Sequence, residues 1–453
     1  MGENTKTQDH SYLFSNHDLA SLVIPLIIEQ FLAVLVGMAD TIMVSRVGEA
    51  AVSGVSLVDS IMVLLINIFA ALATGGAVVA GQYLGQQRNK EGCKASEQLV
   101  YFVAVLAMLI MAVCYICKPL ILNVVFGQIT PEVKAHADIY LMIVSASIPF
   151  IAVYNAGAAI FRSMGNSKVS MQVSMIMNAI NVCGNAILIY GFSFGTEGVA
   201  IPTLISRVVA ALLIVFMLRK RNLPLHITHW FSLKFNWTLI RKILYIGDPN
   251  GLENSMFQLG KIIVLSLVST FGTYAITANA VGNVVAQFQV LPGMSISLAI
   301  TTVVSRCIGA NDFEQVRYYT RKLIKIAYLC MVAMVLVTWA LMPLILKAYN
   351  LSDITASETE RLMWFHGISC IVIWPIAFAL PAVFRAAGDV KFAMLTSVIS
   401  MWVCRIVFSY ILGQYLGMGV FGVWVAMILD WCVRAVFFVW RYRSGKWEKQ
   451  ALV

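Results

Sequence analysis

Residues 25–29 read Pro-Leu-Ile-Ile-Glu and residues 249–253 read Pro-Asn-Gly-Leu-Glu, so a proline followed four residues later by a glutamate occurs twice in the chain. The shift from 25 to 249 also aligns glycines and short motifs along most of the length. The aligned pairs are Gly48 with Gly272, Gly85 with Gly309, and Gly198-Val199 with Gly422-Val423. A shift one residue shorter aligns Phe161–Lys168 with Phe384–Lys391. Matches at one spacing indicate an internal repeat, so the sequence predicts two similar halves.

The composition of the chain indicates a lipid environment. Of its 453 residues, 60% are hydrophobic and only 12% are charged, which does not suit a surface solvated by water. A helix needs about 20 apolar residues to cross a bilayer. Twelve stretches meet that need, and they cover residues 19–41, 55–80, 96–118, 136–160, 170–190, 198–218, 243–270, 279–304, 323–346, 362–384, 392–412 and 422–440.

The distribution of basic residues predicts the orientation of these spans. If the N-terminus is cytoplasmic, 23 of the 32 Lys and Arg residues lie on the inside, 5 lie outside and 4 lie within spans. We therefore expect a multi-pass protein of the plasma (inner) membrane with both termini cytoplasmic, and the net charge of +10 requires no nucleic-acid partner. The predicted organisation is a tail (1–18), a first lobe (19–218), a cytoplasmic linker (219–242), a second lobe (243–440) and a tail (441–453).

The repeat also predicts the architecture. Six spans in each copy is an even number, so both copies enter the membrane with the same polarity and are related by an axis along the membrane normal. The sequence therefore predicts an all-α membrane protein of twelve transmembrane helices in two parallel, pseudo-symmetric six-helix bundles around a central cleft. This layout suits alternating access, and we expect Pro25 and Pro249 to bend the first and seventh helices and to free backbone carbonyls.

Polar residues within the spans of the first lobe are candidates for function, because charged groups in the bilayer interior are costly. Asp40 lies about three turns beyond Glu29 in the first span. We expect Asp40 to bind or exchange the coupling ion, although a carboxylate at the outer end of a helix is an alternative. Asparagines and a threonine supply further polar groups to such a site or hydrogen bonds between helices, and these are Asn155, Asn178, Asn181, Asn185 and Thr203. Asp59 lies near the start of the second span, and we interpret it as an outer-end structural residue.

In the second lobe, Glu253, Phe257 and Lys261 recur every four residues and share one face of the seventh span. Glu253 and Lys261 are about 12 Å apart along that helix, so each needs a partner elsewhere. We expect both in the second-lobe cleft, with a pair between Lys261 and Asp40 in one conformational state. Asp430 and Arg434 are four residues apart in the last span and should neutralise each other.

Sequence motifs of enzymes and ATP-driven pumps are missing. The chain has no GxSxG, no phosphate-binding lysine loop and no histidine pair at metal-ligand spacing, so we expect neither an enzyme nor a cofactor. Energy for transport would then come from an ion gradient.

The motifs taken together resemble the multidrug and toxic compound extrusion (MATE) family over nearly the entire chain. The motifs are Ala39–Val44 with Gly48, Phe161–Lys168, Gly247–Asn254 and the ending Arg441–Trp447. The resemblance implies an exporter that exchanges Na⁺ or H⁺ for organic, often cationic and amphipathic compounds. It also implies an ion site, for a proton or for Na⁺, at Asp40, Asn155, Asn181, Asn185 and Thr203.

Two departures from the family pattern bear on ion coupling. Some members carry aspartate where this chain has Asn185, which leaves the choice between Na⁺ and H⁺ open. Others carry a seventh-span glutamate where this chain has Phe257, and an acid in the tenth span where this chain reads Trp374-Pro375. We therefore expect the first lobe to couple the ion.

For the substrate cavity we expect flexible thioethers and aromatic or polar side chains at Met171, Met175, Phe257 and Gln258, although methionine in a span also serves ordinary packing. We expect the protein to act as a monomer on small organic cations. A flippase for lipid-linked oligosaccharides is an alternative, but its pyrophosphate would need several cationic side chains, and Lys261 is the single good candidate. A membrane receptor that does not transport is the third hypothesis.

Overall fold

A computed structural model of the chain describes residues 12–229 and 234–450, and its regular elements are all helical. Twelve long helical spans follow one another in this part of the chain. They are α1 (Asn16–Ser45), α2 (Glu49–Gly85), α3 (Asn89–Ile116), α4 (Pro131–Ser145 and Ile148–Ser163), α5 (Ser167–Gly191), α6 (Glu197–Leu218), α7 (Trp237–Ser269), α8 (Thr273–Gly309), α9 (Phe313–Ala348), α10 (Asp353–Ala386), α11 (Val390–Tyr415) and α12 (Gly419–Ser444). Shorter helical segments lie at Lys118–Leu120, Ile121–Val125 and Lys446–Lys449.

The prediction of twelve spans is confirmed. Ten of the helices are individually long and apolar enough to cross a membrane, and α4 is an eleventh span bent by 49° between its two segments. The twelfth, α7, has 33 residues and is therefore about 50 Å long, but its polar residues lower its hydropathy. Each helix begins before its predicted stretch, by one to ten residues, because helical turns continue past the apolar core of each span. Most also end beyond it, whereas α3 and α7 end one or two residues before the predicted limits of 118 and 270, and α6 ends at the predicted residue 218.

Three spans contain π-helical turns that the sequence pattern did not predict. These turns cover Ile187–Gly191 in α5, Pro375–Ala379 in α10, and Ser400–Val407 with Ser409–Tyr415 in α11. A π-helical turn widens the helix and changes the direction in which later side chains point, and such turns often occur at functional sites. In α10 the turn begins at Pro375, which has no backbone N–H to donate an α-helical hydrogen bond.

Pro25 lies inside the continuous helix α1. Its missing N–H leaves the Ser21 carbonyl without its helical donor. The Ser167 hydroxyl at the start of α5 contacts this carbonyl at 3.2 Å and donates to the Leu22 carbonyl at 2.6 Å. In this conformation a side chain of the same lobe therefore occupies the carbonyl that Pro25 frees.

The two lobes, α1–α6 and α7–α12, meet at the end of the bundle where α1 begins and α12 ends, which we call the terminal end. The inter-lobe hydrogen bonds of the described residues all lie in this half of the bundle, as does that from Gln82 Nε2 to the Ala386 carbonyl at 2.8 Å. The closest approach is at Gly85 and Gly309, which are equivalent in the repeat. A methyl group on Gly309 would lie 2.0 Å from the Gln82 carbonyl oxygen, and one on Gly85 would lie 2.1 Å from that of Arg306.

The segment between the lobes packs against the first lobe. Leu225 and Ile227 are buried, and Glu97 of α3 accepts a hydrogen bond from the backbone N–H of Thr228 at 3.0 Å. Residues 230–233 of the predicted linker, 1–11 of the first tail and 451–453 of the last lie outside the described residues.

Candidate functional site

The first lobe brings Asp40 of α1 together with asparagines of α5. The Asn185 side-chain nitrogen donates a hydrogen bond to Asp40 Oδ1 at 2.8 Å, and Asn185 is fully buried while Asp40 is half-buried. The two asparagines lie one helical turn apart, so both amides point towards α1. The Asn185 amide oxygen is buried and has no donor among residues 12–229 and 234–450. One oxygen near Asp40 is therefore available to a cation.

Asn181 completes the contacts of Asp40 and extends them to α6. Its amide satisfies its neighbours when the nitrogen faces Asp40, where it donates to the two carboxylate oxygens at 2.8 and 3.2 Å. The Asn181 oxygen then accepts from the Thr203 hydroxyl at 3.0 Å. Four of the five residues expected at the ion site are thus in one connected network.

Asn155, the fifth, is not part of this network. The structure gives no contact between it and Asp40, and its amide nitrogen is buried without a partner in the described part of the chain. The Asn178 nitrogen is in the same situation. The two unpartnered amides belong to α4 and α5, the helices that flank the site.

A second acidic group, Asp59, lies within electrostatic range of Asp40, and it is deeper in its helix than the sequence predicts. Because α2 begins at Glu49, Asp59 lies nearly three turns inside the helix rather than at its outer end. Tyr140 of α4 donates a hydrogen bond to Asp59 Oδ1 at 2.9 Å. Arg207 of α6 is within electrostatic range of both Asp40 and Asp59.

Arg207 was the available signal for this arrangement, because it is one of only four basic residues within spans. Its guanidinium donates to the Ser147 hydroxyl at 2.8 Å and forms no ion pair among the described residues. The site in the first lobe therefore contains two carboxylates and one cation at the level of the asparagines. Loading with one more positive charge would balance them.

The repeated glutamates lie in ion pairs with the repeated arginines. Glu29 contacts Arg162 at 3.9 Å and accepts a hydrogen bond from Ser170 at 2.5 Å. Glu253 accepts two hydrogen bonds from the Arg385 guanidinium, at 2.9 and 3.0 Å, and both side chains are largely buried. Glu253 is therefore held by an arginine within its own lobe.

Lys261 lies over the ring of Phe257, with its ammonium 4.9 Å from the ring centroid. It forms no ion pair with Asp40 in this conformation, so the pair expected for one conformational state is not the one observed here. Asp430 and Arg434 form the expected ion pair at 2.9 Å, which confirms that prediction.

The other residues expected in the substrate cavity differ in exposure. Met175 is 45% exposed, whereas Met171 and Gln258 are half-buried. Within the described ranges, none of them shares a hydrogen bond or a cation–π contact with Phe257, whose ring contacts Lys261, Arg405 and Arg434. Met171 and Met175 share a face of α5 beside Asn178, so they border the first-lobe site.

The model of the MatE family matches the chain twice, over residues 25–187 and 249–411. The two matches begin at Pro25 and Pro249 and together cover more than half of the chain, in the register of the repeat. The uncharacterized transporter YisQ of Bacillus subtilis is 28% identical over 446 residues, which are 96% of this chain and 95% of the relative. The probable multidrug resistance protein NorM of Thermotoga maritima is 24% identical over 96% of this chain and 94% of its own length.

Solved structures of transporters share the fold. A multidrug resistance MATE family transporter of the MOP superfamily in an outward-facing conformation has a TM-score of 0.86 and 24% identity, and the match covers 95% of this chain and 96% of that one. A MOP superfamily transporter from Pyrococcus furiosus, described as having a binding pocket of reverse polarity, has a TM-score of 0.88 and 21% identity over the same shares.

Proposed function

This chain belongs to the MatE family of membrane transporters, and on that premise we propose that it is a secondary active antiporter that exports organic compounds in exchange for Na⁺ or H⁺. The observation that carries the proposal is the Asp40 network. A half-buried carboxylate faces two amides and lies near a second carboxylate, Asp59, in a span where uncompensated charge is costly. Such a group gains by binding a proton or a metal cation.

The first lobe offers groups suited to either ion. A proton neutralises Asp40 directly, and Asn181 and Asn185 keep their hydrogen-bond contacts with the protonated group. Na⁺ prefers oxygen ligands, and an Asp40 oxygen together with the unpartnered Asn185 oxygen is the start of such a shell. Asn155 would enter this shell only after a movement of α4.

Coupling requires that ion and substrate prefer different conformations. We propose that Asp40 with its asparagines holds α1 against α5 in one shape, and that loading or loss of the ion changes that shape and closes the cleft. Pro25 lies on the same helix as Asp40, about four turns away, and the carbonyl that it leaves without a helical donor contacts Ser167 of α5. The helix that carries the ion site is thus also the helix with a weakened hydrogen-bond ladder.

The direction of access follows from the closed terminal end. We propose that the terminal end faces the cytoplasm in the plasma (inner) membrane, because most basic residues of the loops and tails lie on that side. The contacts at Gly85 and Gly309 then close the cleft towards the cytoplasm. We also propose that the protein works as a monomer, since one chain contains both lobes.

The expectation of cationic substrates rests on the family resemblance alone. A lipid-linked flippase would need several cationic side chains, and Arg405 and Arg434 lie over the same Phe257 ring as Lys261. A receptor without transport remains the competing class, and gradient-driven flux distinguishes it.

The experiment uses purified protein in vesicles loaded with a fluorescent amphipathic dye, with a cationic and an anionic dye tested in parallel. A Na⁺ gradient and a pH gradient are applied separately, and dye release is recorded. We expect one of the two gradients to drive release. If neither gradient changes the release of either dye, the proposal is overturned.

The variant Asp40→Asn keeps the shape of the side chain and removes its charge. We expect gradient-driven release to fall about tenfold or more, since coupling free energies of this kind correspond to roughly 5- to 150-fold effects. Asp138→Asn is the matched control, because Asp138 is a carboxylate of the same lobe that is not part of the Asp40 network. Its side chain pairs with Lys118 at 2.8 Å. Unchanged release by Asp40→Asn would show that this residue does not couple the ion.

A further inference from the structure

Three cationic side chains surround the ring of Phe257 in the second lobe, and we call this group the Phe257 cluster. The ammonium of Lys261 lies 4.9 Å from the ring centroid, and the guanidinium carbons of Arg405 and Arg434 lie 5.4 and 5.7 Å from it. The three come from α7, α11 and α12, so the cluster lies where these helices meet. Arg405 lies on the π-helical segment of α11, which is the irregular part of that span.

The carboxylates near the cluster do not balance these charges. Asp430 pairs with Arg434 at 2.9 Å and also accepts a hydrogen bond from the Ser400 hydroxyl. Glu253, about one helical turn before Phe257 on α7, forms an ion pair with Arg385 at 2.9 Å. Within the described residues, neither Lys261 nor Arg405 forms an ion pair or a side-chain hydrogen bond. The cluster therefore carries two cations without a counter-charge.

Arg405 is the strongest sign that a ligand belongs here. Its residue is only 8% exposed, and its Nε is a buried donor without an acceptor in the part of the chain that the structure describes. The Nε1 of Trp431, on the helix of Asp430, is a second buried donor without an acceptor. An arginine that cannot be deprotonated and lies within a span requires an anion or another hydrogen-bond acceptor, because burial of an uncompensated charge is costly.

Lys261 is the exposed member of the cluster. Its side chain lies on the α7 face of Phe257, opposite the face that carries Leu252 and Leu259. An anion that reaches the ammonium of Lys261 would also be near Arg405, because both side chains lie over the same ring. The aromatic ring between them offers an apolar surface to the rest of the molecule.

We propose that the Phe257 cluster binds the anionic group of the amphipathic organic compound that this transporter exports. The group is a carboxylate, sulfonate or phosphate, and the proposal rests on the transport function proposed above. It assigns an acid to the substrate where the family resemblance implies a cation. Lys261 and Arg405 bind the anion. Arg434 contributes less to this binding, because Asp430 already neutralises its charge.

The test uses three probes that share a pyrene ring and a short tether but end in a carboxylate, an amide or a quaternary ammonium group. Binding to the purified full-length protein in detergent is followed by energy transfer from tryptophan to pyrene. We expect the carboxylate to bind about tenfold more tightly than the ammonium, as one charged hydrogen bond allows, with the amide between them. Equal or tighter binding of the ammonium probe would overturn the proposal.

Variants locate the binding in the cluster. Lys261→Met should weaken binding of the carboxylate about tenfold and leave that of the amide unchanged. Lys391→Met is the matched control, because Lys391 also lies over an aromatic ring, that of Tyr245 at 5.7 Å, but outside the cluster. Arg405→Gln should act like Lys261→Met, and Arg405→Lys should retain the preference for the acid. An equal loss for all three probes, or no loss in Lys261→Met, would contradict the proposal.

Two further arms identify the source of the anion and separate this proposal from the transport function. Displacement of the carboxylate probe by naphthoate supports a free organic acid, and displacement by a short-chain phosphatidate supports a lipid headgroup. Displacement by neither overturns the proposal. Because binding is measured without a gradient, tight acid binding in a protein that shows no flux would refute the transport function alone, whereas flux without acid binding would refute this inference alone.

Discussion

Asp40 and Glu253 are both carboxylates within spans, but their partners give them different roles. Glu253 faces a guanidinium that binds both of its oxygens, so its charge is balanced within the protein. Asp40 faces uncharged amides, and Arg207, which is within electrostatic range of it, donates its hydrogen bond to a serine instead. A balanced carboxylate stabilises one structure, whereas an unbalanced one can respond to an ion.

We predict that Glu253→Gln destabilises the protein while Asp40→Asn does not. The first change leaves Arg385 as an unpaired charge within the bundle, and breaking a buried pair costs about 3 to 5 kcal/mol. The second change removes a charge that has no ionic partner. Thermal unfolding in detergent should show a clearly lower midpoint for Glu253→Gln only. A midpoint that is lowered equally by both variants would contradict these assignments.

For individual residues, the sequence predicted most members of the first-lobe network, but it did not predict the residues that lie around that network. Spacing along α5 placed Asn181 and Asn185 on one face, and a carboxylate inside a span marked Asp40. The role of Asp59 was missed because the start of α2 was placed six residues too late, at 55 instead of Glu49. The partner of Glu253 was beyond prediction, since Arg385 is distant in sequence and no periodicity connects them.

Among the helices, α1 and α8 carry the features that a moving transporter needs. In α1, Pro25 removes one backbone hydrogen bond and Ser167 of α5 covers the carbonyls nearby. In α8, Gly309 allows the helix backbone to contact that of α2 without a side chain between them. This contact closes the terminal end only as long as Gly85 and Gly309 both remain glycine.

We predict that Gly309→Ala opens the terminal end. The added methyl group would lie 2.0 Å from the Gln82 carbonyl, and crowding of this kind costs about 1 to 3 kcal/mol. Cys307, which is fully buried beside this contact, should then react faster with a maleimide, as measured by mass spectrometry of the labelled peptide.

Gly251→Ala provides the matched control for this experiment. Gly251 of α7 is also buried and also faces the other lobe, but a methyl group there would lie 3.7 Å from that of Ala71, an ordinary contact. It should leave the labelling of Cys307 unchanged. If both variants increase the labelling, or neither does, the contact at Gly309 does not close the terminal end.

The helices themselves were predictable because each needs an apolar stretch long enough to span a bilayer. Their irregularities were not. The π-helical turns of α11 have no marker in the sequence comparable to a proline, and the bend of α4 lies between Ser145 and Ile148 within an apolar stretch. These deviations depend on packing between helices.

For the whole molecule, the repeat provides the cleft and the differences between its copies provide the chemistry. The family model matches both halves in the same register, so the two halves share one sequence pattern. The charges are not symmetric. The first lobe holds Asp40 and Asp59 near one arginine, and the second holds Lys261, Arg405 and Arg434 near one aspartate.

This asymmetry suggests a division of labour in which the acidic first lobe takes the coupling cation and the basic second lobe takes the acid group of the substrate. The sequence anticipated the first part of this division from Asp40 and the asparagines. It did not anticipate the second, because Arg405 and Arg434 become neighbours of Lys261 only when three helices meet around Phe257.

In the mechanism that we propose, substrate movement and ion movement are coupled through the first lobe, and such coupling must act in both directions. The most direct measurement places the protein in vesicles without an ion gradient, imposes a gradient of a transported dye, and records internal pH and Na⁺ with indicator dyes. We expect the dye gradient to drive one of the two ions in the opposite direction, and Asp40→Asn to abolish this ion movement. Dye movement by the unmodified protein with no response of either ion would rule out this coupling.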